Sequence, residues 1–175
     1  MRFLGGVAFL FCSATAACGG VTRVQHGPPL SAHARWIVLP IENHSETPLA
    51  GERLEAIVST VLRARGVGRV DPSPPPADPD AAVTQSDRQR SDEALEWGRA
   101  HGYVYGVAGS VEEWRYKSGL DGEPAIGLTL RVVRIADDTV VWSGTTSRTG
   151  WTHESVSSTA LRAVDDLVDD IKLSP

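Results

Sequence analysis

Cysteine is nearly absent from this 175-residue chain and occurs only as Cys12 and Cys18. A domain that begins beyond residue 18 has no disulfide framework, no thiolate metal site and no cysteine nucleophile. Positive charge is scarce as well. Seventeen Lys and Arg face 22 Asp and Glu, a formal net charge of −5, and there is no basic cluster. That balance excludes nucleic acid as a partner. No later apolar run is long enough for a membrane-spanning helix. Gly-rich phosphate loops, H-E-x-x-H and G-x-S-x-G are missing too. His26 and His33 lie in a Gly/Pro-rich stretch, and His44 and His101 are isolated. His153, Glu154 and Ser155 are neighbours in sequence, which argues for nothing, because folds assemble triads from distant segments. No metal site, no cofactor and no enzymatic activity are expected.

What is present starts with an export signal. Arg2 is a thin positive n-region, followed by the short apolar segment Phe3 to Phe11 and the small residues Ser13 to Ala17. The apolar segment is too short to span a bilayer. Thr15-Ala16-Ala17-Cys18 is similar to a bacterial lipobox, with Thr15 where Leu is usual. Cys18 is the expected lipidation site, and two or three acyl chains hold a protein on a membrane. Residues 1–17 are thus expected to be a lipoprotein signal, 18–33 a lipidated flexible tether, and 34–175 a single domain. Loss of Arg2 makes the mature chain one unit more acidic.

The domain's pattern is α/β. Arg35 to Ile41 is a nearly continuous apolar run, as in a buried central strand. Thr47-Pro48 predicts a helix start, with a hydroxyl N-cap and a proline at N1. Leu54, Ile57, Val58, Val61 and Leu62 form one stripe, and Gly66 ends it. Val67 to Asp71 is a candidate second strand. Pro72 to Pro79 suits neither helix nor central strand and is expected to be an exposed loop. A second helix spans Ser86 to Gly102. Strands follow at 103–116, 125–136 and 139–149, with a turn-rich link at 117–124 and Asp137-Asp138 in a hairpin turn. A last helix runs from Ser155 to Leu173. The order β-α-(β)-α-β-β-β-α predicts a three-layer-like domain, its mixed and largely antiparallel sheet flanked by helices. Trp36, Trp97, Trp114 and Trp142 lie inside patterned elements, as packing residues.

Two features exceed what packing needs. Asp165, Asp166, Asp169 and Asp170 put like charges at i,i+4 twice, near a helix C-terminus that favours cations. They form either a solvated face or an anionic surface for a cationic ligand. Glu112 and Glu113 are consecutive on a strand, so strict alternation sends them to opposite faces and prevents pairing. Trp151 ends the small polar segment Thr145 to Gly150, beside Arg148. It either meets a membrane interface together with Arg148 or folds back over the sheet edge.

Trp36 to Asn43, followed by Ala50-Gly51-Glu52-Arg53, resembles the opening strand and helix of small bacterial envelope lipoproteins. That group includes the curli-secretion lipoproteins, the activators of peptidoglycan synthases and the N-terminal domain of TolB. Gly106 to Pro124, Gly127 to Val132, Val141-Trp142-Ser143-Gly144 and Gly150-Trp151 look like the PelC family of Pel exopolysaccharide export. The likeness covers about residues 34–172. It implies a TolB N-terminal-like fold and a homo-oligomeric ring on the periplasmic leaflet of the outer membrane, beneath a β-barrel exporter. It also implies an acidic funnel for a cationic, partly deacetylated amino-sugar polymer. Asp165, Asp166, Asp169 and Asp170 are the first candidates for its lining, and Glu112, Glu113, Asp121 and Glu123 the second. The alternative is an adaptor that binds and regulates an envelope enzyme, such as a peptidoglycan synthase.

Overall fold

The computed structural model describes residues 20–75, 85–119 and 122–175. The signal, Cys18 and Asp121 lie outside the described residues. Among the described residues seven strands form one mixed sheet in the order β1-β8-β7-β6-β3-β5, with β4 also on β6. The strands are β1 (Val21–Gln25), β3 (Arg35–Val38), β4 (Glu42–Asn43), β5 (Arg69–Pro72), β6 (Tyr105–Tyr116), β7 (Pro124–Arg134) and β8 (Thr139–Thr149). The three long strands pair antiparallel, whereas β3 pairs parallel with both β5 and β6. A separate parallel clip joins β2 (Leu30–Ser31) to β9 (Leu173–Ser174), tying the C-terminus to the stretch before β3.

Among the described residues three helices cover the sheet unequally: α1 (Ala50–Ala64), α2 (Asp87–Ala100) and α3 (Val156–Asp169). α1 and α3 lie side by side on one face. Their stripes, including Leu54, Val58, Leu62, Val164 and Leu167, meet Trp36, Val111, Leu128, Leu130 and Trp142 in the main core. Each such large apolar side chain contributes about 1.5–3 kcal/mol by leaving water. α2 packs on the other face over Ile37, Leu39, Ala108 and Ile135, a smaller core. The smallness of Gly98 permits this approach, since a Cβ there would lie 3.3 Å from the Ile135 side chain. Over β7 and β8 that face instead carries small polar side chains such as Thr129 and Thr145, whose hydroxyls are 3.0 Å apart. The predicted three-layer α/β class is the fold observed, with the third layer partial.

Two local expectations are corrected. The first concerns residues 18–33, expected to be a flexible tether. Val21–Gln25 is instead an edge strand antiparallel to β8. Thr22 and Val24 alternate inward, and the Thr22 and Thr146 hydroxyls are 3.0 Å apart. Five residues are too few for the eye to separate such alternation from polar linker composition. The second is the start of α1. Thr47 does not cap it; its hydroxyl donates to the Trp114 carbonyl. Leu49 occupies the cap position at φ 61° without a side-chain bond. The competing carbonyl comes from β6, a partner remote in sequence. α2 begins as predicted, with Ser86 and Gln89 forming a reciprocal capping box.

Candidate functional site

The β1–β8 register brings the chain's entry and Trp151 to one end of the sheet. Val21 lies opposite Ser147, and β8 then runs directly into Gly150-Trp151. The β6–β7 connection reaches the same end, where Tyr116 pairs with Pro124. Gly150 is required there by crowding. A Cβ would lie 2.4 Å from the Thr159 hydroxyl and 2.7 Å from the Pro124 ring. Glu154 fills the inside of the turn. Its carboxylate accepts the Trp151 N–H (3.1 Å) and the Thr159 hydroxyl (2.9 Å), and pairs with Arg162. The indole is therefore turned outward, and Trp151 is 66% exposed, the most exposed of the large apolar side chains among the described residues. Tyr116 and Val21 are also exposed at this end. The indole does not fold back over the sheet edge.

Arg148, expected beside Trp151 at a membrane, points elsewhere. It alternates to the helix-covered face of β8, is partly buried, and pairs with Asp166 of α3 at 2.8 Å. Asp165 and Asp169 are likewise engaged. Arg65, at the end of α1, pairs with Asp165 at 3.0 Å and with Asp169. The like-charge spacing that suggested an external cation thus meets two internal ones. Asp170 is the C-terminal residue that closes α3 and has no ion-pair partner among the described residues.

Glu112 and Glu113 correct a fourth expectation. They are not on opposite faces. A β-bulge falls between Val111 and Glu113, because Val111 opposes Leu128 while Glu113 opposes Gly127. A Cβ built on Gly127 would lie 3.4 Å from the Glu113 Cβ and 3.6 Å from the Glu112 Cβ. Both acids therefore share one face, as an extra residue in one strand dictates. A bulge depends on partner register, which alternation along a single strand does not report. The Glu112 carboxylate accepts the Ser110 hydroxyl at 2.6 Å, and Arg115 pairs with Glu113 at 2.8 Å. His44, which sequence reasoning set aside, sits between Glu42 (3.2 Å) and Glu112 (3.4 Å). Among the described residues no three His, Cys, Asp or Glu are arranged to hold a metal ion. Among them, too, no helix is long and apolar enough to cross a membrane.

No family model matches the chain, and no curated protein does. Solved structures do. A PelC dodecamer from Paraburkholderia phytofirmans is 35% identical, with a TM-score of 0.75, over 90% of this chain and 100% of the other. A point variant of PelC from the same organism, also a dodecamer, is 35% identical over 89% of this chain and 100% of that one, with a TM-score of 0.77. This chain belongs to the PelC family. Lipoprotein GNA1162 from Neisseria meningitidis shares the fold at 19% identity and a TM-score of 0.52, over 79% of this chain and 97% of that one. For this PelC-family chain, the quoted segments from Gly106 to Trp151 span β6, β7, β8 and the Trp151 turn. Those are the sheet's long antiparallel core and the end at which the chain enters.

Proposed function

We propose that the protein is an outer-membrane lipoprotein, anchored in the periplasmic leaflet through Cys18. It assembles into a homo-oligomeric ring and guides a cationic exopolysaccharide of the Pel type to a β-barrel exporter. The role is non-enzymatic and needs no cofactor. The observation that carries the reading is the likeness to dodecameric PelC over nine-tenths of this chain. The geometry agrees with it. Only Gly19 and Gly20 separate Cys18 from β1, and β1 starts at the Trp151 end. A lipid on Cys18 and the exposed indole would meet one membrane surface, where Trp is favoured. Trp151, rather than Arg148, is the membrane contact in this reading.

Acidic side chains facing the polymer would attract its amines without binding them tightly. Asp165, Asp166, Asp169 and Glu113 each have an arginine partner, so Asp170 and Glu112 are the stronger candidates among the six. The test is binding of a deacetylated glucosamine oligosaccharide to the full lipidated chain at low and high salt. Binding that weakens with salt, falls in D170N/E112Q and is absent for the acetylated oligosaccharide supports the reading. Equal binding of both oligosaccharides contradicts it.

A further inference from the structure

Granted the ring proposed above, every copy turns its lipid and Trp151 to one membrane. The ring axis then runs along β6, β7 and β8, which reach the Trp151 end together, and copies meet through their sides. A closed ring of more than two copies is built head to tail, from two different patches on each copy. Pairing of sheet edges is ruled out at β5. The Ser73 N–H donates to the Val38 carbonyl at 2.9 Å, so alternation turns the backbone of Val70 and Pro72 outward. Pro72 has no N–H to offer there, and Arg63 donates to the Val70 carbonyl. Contact is left to the two faces of the sheet.

One face has a bare half. α2 covers it only over β3 and β6, and among the described residues nothing covers it over β7, β8 and β1. The short side chains of Thr129, Ser143 and Thr145 floor a shallow cavity of about 330 Å³ there, rimmed by Arg23 and Gln25 of β1. The opposite side of the molecule presents the groove between α1 and α3, a cavity of about 370 Å³ lined by Ala56, Ile57, Thr60, Ser157, Ser158 and Leu161. None of the groove residues is charged, as at the centre of an interface, and Leu161 is 46% exposed.

Height and charge fit the two patches together. Thr129 and Thr145 lie near the middle of β7 and β8, and Ile57 and Leu161 near the middle of α1 and α3. Both patches therefore stand midway between the membrane end and the far end. Equal height lets the repeat close instead of climbing into a filament. β1, β7 and β8 contain Arg23, Arg131, Arg134 and Arg148 and no carboxylate. Arg23 lies opposite Thr145 and Arg131 opposite Ser143, which puts both on the bare face. Among the described residues Arg23 has no ion-pair partner; its guanidinium reaches the Thr22 carbonyl at 3.2 Å. α3 is acidic in turn, and Asp165, Asp166 and Asp169 stay more than half exposed beside their own arginines. We infer that copies join by seating the α1–α3 face of one on the bare half of the next copy's sheet, with Arg23 and Arg131 toward the aspartates of α3. Each copy then supplies the third layer that its neighbour lacks.

Thr145 and Leu161 are both exposed, and the sheet separates them within one copy, so a short link between them joins two copies. The full lipidated chain carrying T145C/L161C is treated in detergent with a short bismaleimide, and its mass is measured alongside. A ladder of many linked copies is expected, with dimers alone from a mixture of T145C and L161C chains and no link from either single variant by itself. R23E, at an exposed position of an edge strand, should raise the concentration at which the ring dissociates by at least about tenfold and leave Tm unchanged. A closed ring without the ladder, links within either single variant alone, or a ring indifferent to R23E overturns the inference and leaves the ring reading standing. A monomer at every concentration overturns both.

Discussion

Removing Arg65 tests whether the aspartates of α3 are a structural clamp. Its guanidinium pairs with Asp165 at 3.0 Å, reaches the Asp165 carbonyl at 3.2 Å, and pairs with Asp169 one turn later. Both carboxylates are more than half exposed, so surface values apply, about 0.2–1 kcal/mol per pair. R65A also unmasks the i,i+4 repulsion between the two acids, about 0.2–0.5 kcal/mol. With exposure discounted, the loss is about 1 kcal/mol, or roughly 2–4 °C in Tm for a domain of this size. The assay is urea and thermal denaturation at low and high salt. At 1 M salt the Debye length falls to about 3 Å, and the difference from the parent should shrink by more than half. Adding D165N/D169N to R65A should recover part of the loss at low salt. An R65A chain as stable as the parent at low salt refutes the reasoning. A loss that ignores salt refutes it too, since Arg65 would then act by packing its stem.

Other outcomes follow from the same geometry. G150A should cost about 1–3 kcal/mol, because the new methyl meets the buried Thr159 hydroxyl and the Pro124 ring; thermal melting measures it. L167A, at a side chain with no exposure in the main core, should lose about 2–5 kcal/mol in urea titration. W151A should change stability by less than about 0.5 kcal/mol while reducing flotation of the lipidated chain with vesicles. The Arg134 hydrogen bond, aided by the Thr139 N–H, lowers the Asp137 carboxyl to about 2. Its contribution is therefore complete above the unfolded value near 4 and disappears as pH falls through about 2. D137N should flatten that acid limb of the stability curve and leave neutral pH little changed.

The fold was legible where a pattern is long and local. Arg35 to Val38, the stripes of α1 and α3, and the Ser86/Gln89 box are each set by residues within a few turns of one another. Gly66 and Gly102 end their helices in the left-handed region, at φ 95° and 72°. What escaped depends on partners far along the chain. β1 exists because Thr22 and Val24 fit against β8, more than a hundred residues away. Thr47 is drawn from its cap by the Trp114 carbonyl. The bulge at Glu112 is a property of the β6–β7 register, and it reversed the relation between two candidate acids. The aspartates of α3 were found by their spacing, yet their arginines come from α1 and β8. Trp151 could be located in sequence, while its outward direction needed Gly150 and Glu154 in place.

The most direct test of the central claim is the mass of the full lipidated chain in detergent, measured by light scattering with native mass spectrometry. A single closed species of many copies, twelve if it follows the PelC dodecamers, is the expected result. A clean monomer at every concentration would contradict the ring.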